Sequence, residues 1–343
     1  MIKIFTPSFA DENNINAQNL SVKQIVRRLD PKYFQVTMFY KDDIVDFIKD
    51  RGNTKFIKWS KHGNLIRFFF HHIFNRYDIY FYPRYSLLEK VFFIIHRFRK
   101  NTKIITHLVH SVSNELNKNI LFCKLLKKSS VIVGNSPFVS KTLYENFGIK
   151  SKHIYNGIDK DNFYPTKNNL KQTYDVLYVG SLQERKRPGL IIEVADKLRN
   201  LKFGIVGDGP LKNILLTEIS KKQISNVELL GNLSQKDLGN VMRSSKIFLF
   251  PSINEGHPQS VGQAIACGLP VIAMEKIKVD YVINDENGFL LQDDGDIISK
   301  ISLLINNENM RIKMSKKSIT RSSNFNWDHS VSQWADIFME VVK

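Results

Sequence analysis

The chain has 343 residues, 43% of them hydrophobic and 24% charged, which excludes a disordered or low-complexity chain and suits two domains better than one. Its net charge of +17 is lopsided. Residues 1–160 hold 27 Lys and Arg against 12 Asp and Glu, a balance of +15, and residues 161–343 hold 23 against 21, a balance of +2. The first half is therefore expected to attract a polyanion, either nucleic acid or an anionic lipid surface.

The opening MIKIFTPSFADENN lacks the apolar core of a signal peptide. IKIFTPSF (2–9) reads as a strand and NAQNLSVKQIVRRL (16–29) as the helix after it. VTMFY (36–40) and TKFIKW (54–59) are further strand candidates, and KIITHLVH (103–110) reads as a buried strand ending in histidine. SSVIVGNSPFVSKTLYENFGI (129–149) reads as strand, turn and helix, and HIYNGID (153–159) as a short strand and turn. No run reaches the roughly 18 apolar residues that a membrane span needs. Only Cys123 and Cys267 occur, both in apolar surroundings, so two thiols in a reducing compartment are expected.

Around residues 160–173 the chain turns polar, a plausible linker. A βα alternation follows. Strands are expected at 174–180, 227–231, 246–252 and 269–275, a strand with its glycine turn at 202–210, and helices at 187–198, 211–220, 235–245 and 257–268. WDHSVSQWADIFMEVV (327–342) fits a closing amphipathic helix. This order predicts an α/β protein with mostly parallel, doubly wound sheets. There is no G-x-x-x-x-G-K-[ST] run, and the first strand leads into no G-x-G-x-x-G, which disfavours a P-loop nucleotidase and a simple nicotinamide dehydrogenase.

The stretch PSINEGHPQSVGQAIACGLPVIA (251–273) carries the strongest signal. Glu255 and Gly256 sit where a strand ends, the edge at which open α/β sheets bind ligands. Backbone N–H groups there, at the positive end of a helix, suit a diphosphate. Lys186 lies six residues after the strand-ending Gly180 and could reach the same edge, where an ammonium would stabilise a diphosphate leaving group. Its neighbours Arg185 and Arg187 read as solvated flanks. GDGP (207–210) is a weaker turn signal.

YVGSLQERKRPGLIIEVADKL, KFGIVGDGP, VELLGNLSQKDLGNVMRSSKIFLFPSINEGHPQS and GQAIACGLPVIA together resemble the nucleotide-sugar domain of the retaining GT-B glycosyltransferases of family 4. SSVIVGNSPFVSKTLYENFGI and IYNGIDKDNFYP match the end of that family's first domain, so the resemblance covers about residues 129–291. It implies a GT-B fold: two Rossmann-like doubly wound domains facing across a cleft, over 1–165 and 166–325, with a C-terminal helix (326–343) returning to the first domain. It also implies transfer of a sugar from a nucleotide diphosphate donor, uridine favoured over guanosine, to a glycan or lipid-linked acceptor hydroxyl, with retention. Such work belongs to cell-surface polysaccharide or glycoconjugate synthesis. The alternatives are another GT-B enzyme, such as a nucleotide-sugar epimerase, and a catalytically silent scaffold subunit.

Residue by residue, the resemblance gives Glu255 contact with the donor sugar, Lys186 contact with the leaving diphosphate, and His110 a place facing the sugar, with His107 less well placed. The implied donor-binding set is Gly180, Ser181, Lys186, Gly207, Gly209, Leu230, Glu255, Gly256, His257, Pro258, Gln259, Ser260 and Gln263. Two positions depart from the family. Gln263 stands where a second Glu usually accepts from the ribose hydroxyls; its amide oxygen accepts but carries no charge. Ser181 stands where an arginine usually pairs with the lysine.

The loop 9–18 carries asparagines in place of paired glycines, which leaves Asn14 and Asn16 as acceptor-side candidates. The Asp-Asp pairs at 42–43 and 293–294 lie outside the glycine turns, so no metal and no cofactor beyond the donor is expected. Segment 65–100 holds 12 aromatic residues and seven Lys and Arg in 36 positions, the makeup of an interfacial membrane surface or of an aromatic core. No recognisable nucleic-acid module is present. The expected setting is the cytoplasm, with peripheral contact to the anionic inner face of the membrane.

Overall fold

Two all-parallel sheets organise the computed structural model, which describes residues 1–11, 17–59, 64–81, 94, 96, 101–109, 119–166, 172–253, 255–277 and 279–343. The first sheet contains β1 (Ile2–Phe9), β2 (Phe34–Tyr40), β3 (Thr54–Lys58), β4 (Ile79–Phe81), β5 (Lys103–Leu108), β6 (Val131–Gly134) and β7 (Lys152–His153). Their order is β3-β2-β1-β4-β5-β6-β7. The second contains β8 (Tyr174–Val179), β9 (Phe203–Val206), β10 (Val227–Gly231), β11 (Ser245–Phe250), β12 (Val271–Met274) and β13 (Gly288–Leu291), in the order β10-β9-β8-β11-β12-β13. Central strands such as β9, β11 and β12 are apolar almost throughout, because helices cover a parallel sheet on both faces.

The chain divides into two units, Met1–Asn156 with Trp327–Lys343, and Gly157–Asn326. This division falls before the expected boundary at 165/166. The polar composition of 160–173 misleads there. Phe163 is fully buried, Ile158 N donates to Phe325 O at 3.0 Å, and Arg243 Nη1 donates to Asn162 O at 2.8 Å. These contacts tie the start of that stretch to the second unit.

The closing helix, Trp327–Val342, belongs to the first unit. Its Trp334 is fully buried, 5.0 Å from Phe81 and 4.9 Å from His107 between ring centroids. Trp327, Val331, Ile337 and Phe338 join the same core as Ile4, Val36 and Ile79. Ser330 Oγ donates to Tyr155 O at 2.7 Å, which fixes the helix to the end of the first unit's main run.

Segment 65–100 is divided. Asn64–Phe74 is a helix, and Ile79, Tyr80 and Phe81 form a fully buried strand, so those aromatics are core. Ile66 and Phe74 of the helix are exposed. Arg97, Arg99 and Lys100 lie outside the described residues. Helices Ile120–Lys128, Ile297–Asn306 and Glu308–Ser322 complete stretches that the sequence reading left unassigned. Among the described residues no helix is long and apolar enough to cross a membrane. Cys123 and Cys267 are both free thiols.

Candidate active site

In the second sheet the strand order reverses between β8 and β11, so the loops leaving those two strands diverge and open a crevice at their carboxyl ends. One loop carries residues 180–187 and the other residues 251–258. Between them lies a buried ionic cluster. Glu255 is 5% exposed, and its Oε1 accepts from Lys186 Nζ at 2.6 Å, Arg185 Nη1 at 2.7 Å and Ser252 Oγ at 2.7 Å.

Local structure sets each partner. Glu184–Lys186 is a single 3-10 turn, and Arg187 follows in the left-handed region (φ 54°) before Pro188 opens the helix Pro188–Lys197. The turn aims Lys186 inward, over the Phe250 ring at 5.0 Å, and leaves Arg185 half-buried beside it. The backbone of Arg185 also accepts from Ile253 N and from Ser252 Oγ, both at 3.2 Å, which locks the two loops together. Burial pushes the Lys186 ammonium pKa below its ordinary value, and the Glu255 carboxylate opposes that shift. Each partner offsets the other's burial, since a buried charge without its partner is costly.

Arg185 is the residue that sequence reasoning missed. It reads as one cation of a surface run, ERKR, yet its guanidinium reaches the same carboxylate oxygen as Lys186. No local signal marks it, because its partner lies 70 positions away and is met only across the two loops. Arg187 is committed elsewhere, to Asp294, whose carboxyl it holds below the usual range.

The helix Gln259–Ala266 begins at Pro258 with no side-chain cap, so its first amides remain available to an anion. Gln263 lies one helical turn beyond Gln259, with Ser260 and Gln259 at the start of the same helix. Gln263 Nε2 donates to Gln235 Oε1 at 3.1 Å, which turns its Oε1 into the acceptor that remains.

His257 plays a different part. It is 4% exposed, its Nδ1 sits 2.9 Å from Tyr281 Oη, and its ring packs at a tilt against that of Tyr281, 4.1 Å between centroids. Burial lowers its pKa to about 3, so it is neutral at pH 7 and braces the turn rather than carrying charge. Tyr281 in turn explains Gly262, where a Cβ would stand 2.7 Å from the Tyr281 ring.

Two glycines have a complete account in backbone packing. A Cβ on Gly207 (φ +134°) would stand 2.0 Å from Gly180 O, and one on Gly209 would stand 2.6 Å from Leu182 O. The loop after β9 lies directly on the loop after β8, with Gly180 N donating to Val206 O at 3.0 Å. Only residues without a Cβ permit that approach. Ser181 belongs to this layer, its carbonyl accepting from Tyr178 Oη at 3.3 Å, and Leu230 lies at the end of β10 beside Gly231. His107 is core: 4% exposed, packed on Trp334, its pKa lowered by burial to about 3. His110, Asn14 and Asn16 lie outside the described residues. Among the described residues no three His, Cys, Asp or Glu side chains gather closely enough to hold a metal ion.

Residues 159–321 match the family model described as Glycosyl transferases group 1. An uncharacterized glycosyltransferase of Methanocaldococcus jannaschii is 27% identical over 233 residues, 67% of this chain and 65% of that protein. The UDP-Gal:alpha-D-GlcNAc-diphosphoundecaprenol alpha-1,3-galactosyltransferase of Escherichia coli is 29% identical over 214 residues, 57% of this chain and 55% of that protein. This chain thus spans about two thirds or less of the length of the curated relatives it matches. Among solved structures, Anabaena HepE in complex with UDP and glucose has a TM-score of 0.81 at 16% identity, covering 99% of this chain and 100% of that one. The sucrose-phosphate synthase of Thermosynechococcus elongatus has a TM-score of 0.81 at 17% identity, covering 99% of each chain. These structural likenesses establish the GT-B fold, two Rossmann-like units each built on a parallel sheet.

Proposed function

We propose that this chain, whose residues 159–321 match the glycosyl transferases group 1 model, is a retaining glycosyltransferase using a nucleotide diphosphate sugar, with uridine as the favoured base. The observation that carries this reading is the pair of cations, Lys186 and Arg185, held on Glu255 beside an uncapped helix N-terminus. A diphosphate entering the crevice would draw both cations and the helix amides onto its oxygens. As the bond from the anomeric carbon to the diphosphate breaks, those donors stabilise the developing charge. The acceptor hydroxyl forms its new bond to the same carbon on the same face, and the departing phosphate oxygen takes its proton. Glu255, released from part of its ion pairing, orients the sugar hydroxyls. Two protein cations and the helix terminus supply the positive charge this step needs, so the proposed mechanism uses no metal.

The UDP complex of HepE and the UDP-galactose named for the E. coli relative support the choice of base. The acceptor is a glycan or lipid-linked hydroxyl in cell-surface polysaccharide synthesis. Peripheral contact with an anionic membrane fits the +15 balance of residues 1–160. The silent-scaffold alternative draws support from Ser181 and Gln263, but Arg185 supplies a second cation to the cluster that Ser181 cannot, and the Gln263 Oε1 still accepts. Calorimetric titration with a panel of UDP- and GDP-sugars tests the whole reading. Micromolar to sub-millimolar binding of one UDP-sugar is expected, and no heat from any sugar nucleotide at millimolar concentration would overturn it.

Glu255→Ala should lower transfer at least about tenfold, about 1.4 kcal/mol of transition-state stabilisation, while the thermal melt stays cooperative. Unchanged initial rates would remove Glu255 from the reaction. Gln263→Glu should tighten donor binding by about two- to tenfold, because a charged acceptor bonds the ribose more strongly than an amide. Gln235 can turn its own amide to donate to the new carboxylate, so the change is expected to be tolerated. Titration of the variant with the same donor checks the sign.

A further inference from the structure

The first sheet is apolar at its centre and cationic at one edge of one face. Along that face β1 presents Phe5, β2 presents Phe39, β3 presents Ile57 and β4 presents Tyr80, and these pack together beneath the helix Asn64–Phe74. One step back toward the strand starts, the same alternation brings up Lys3, Gln35, Thr37 and Lys55. The register sets Lys3 opposite Gln35 and Thr37 opposite Lys55. The helix ends at Phe74 before it covers them, and the turn after it adds Arg76 and Tyr77.

The result is a cavity of about 270 Å³ at the amino-terminal edge of the strands, opposite the edge at which such sheets bind their substrates. Three cations line it, Lys3, Lys55 and Arg76, and no carboxylate is among the lining side chains. Asp78 meets Lys3 through the backbone, its Oδ2 accepting from the Lys3 N–H at 2.7 Å. Neutral donors stand between the cations. Thr37 is 1% exposed, and Tyr77, hydrogen-bonded to Thr37 and to His71, has its hydroxyl pKa pushed up by burial to about 12, so it remains a neutral donor.

Lys3, Lys55 and Arg76 are themselves exposed, so solvent screens their mutual repulsion, but among the lining side chains they border one polar hollow with positive charge alone. We infer that this cavity is a binding site for a phosphate group, with Lys3, Lys55 and Arg76 meeting its charge and Gln35, Thr37 and Tyr77 its remaining oxygens. The volume admits a phosphate monoester or the headgroup of a phospholipid. Phe74, 78% exposed at the rim, would lie against the glycerol or acyl part of a lipid. This site goes beyond the donor crevice of the second unit and does not depend on the proposed transfer.

The test uses the full chain, glycerol 1-phosphate as the soluble probe, and vesicles of phosphatidylcholine with and without phosphatidic acid. Lys3→Gln, Lys55→Gln and Arg76→Gln combined should weaken binding of the responding probe at least about tenfold. A control combining Lys32→Gln, Lys49→Gln and Lys150→Gln removes the same net charge from exposed positions elsewhere on the unit, and should leave binding within about twofold. Vesicle association that follows the cavity variant assigns the site to a lipid headgroup. Saturable binding of glycerol 1-phosphate without vesicle association assigns it to a soluble phosphorylated ligand. Equal losses in the two variants, or no binding of either probe by the unaltered chain at low salt, would overturn the inference. Donor titration of the same variants, expected to be unchanged, separates this outcome from any failure of the transferase reading.

Discussion

Lys186→Ala should lower sugar transfer by about 10²–10³-fold, the usual cost of removing one preorganised donor from a developing oxyanion. The fold should survive, because Glu255 keeps Arg185 and Ser252 as partners when Lys186 is gone. Lys186→Arg should recover little. The ammonium sits at 2.6 Å from Glu255 and 5.0 Å above the Phe250 ring, and a planar guanidinium is too broad for that slot. Initial rates with a saturating UDP-sugar, paired with thermal melts, check both variants. Lys186 and Glu255 share one ion pair, so their double alanine variant should cost less than the sum of the singles. Full additivity would mean that the pair acts at separate steps, and wild-type turnover in Lys186→Ala would remove the lysine from the leaving-group role.

Trp334→Ala should destabilise the first unit by about 3–5 kcal/mol, in the range seen when a large buried aromatic is truncated. Trp334 is fully buried and meets Phe81, His107 and Phe338 at centroid distances of 4.9–5.7 Å. No neighbouring side chain can collapse into a void of that size without breaking those ring contacts. Denaturant unfolding followed by far-UV circular dichroism reads the loss. Because Trp334 belongs to the first unit, the donor titration of the second unit should hold under native conditions. A loss below about 1 kcal/mol would show that the closing helix is dispensable to the first core.

Much of the second unit is legible in the sequence, for local reasons. Short apolar runs bounded by glycine and separated by amphipathic stretches specify parallel strands and covering helices, and β8 to β12 fall close to their expected spans. Lys186 and Glu255 are legible by position, since each follows a strand end by a few residues and the strand order then brings those ends together. Gly207 and Gly209 are legible as turns. Their cause is not, because the close approach of the loops after β8 and β9 exists only once both strands are paired.

What tertiary structure alone decides are pairings between residues far apart in the chain. Arg185 meets Glu255 across 70 positions and Arg187 meets Asp294 across 107, so two neighbours in one charge run take separate partners. Gln263 finds Gln235, and the His257 side chain becomes a neutral brace against Tyr281. The boundary between units follows the same logic. Residues 160–166 have linker composition, but a buried Phe163, the backbone of Asn162 and the adjoining Ile158 bind them to the second core. Sequence periodicity records which face of each element is apolar, a property of a few consecutive residues. The partner of a charged or amide side chain depends on strand order and register, and those are set by the packing of the whole unit.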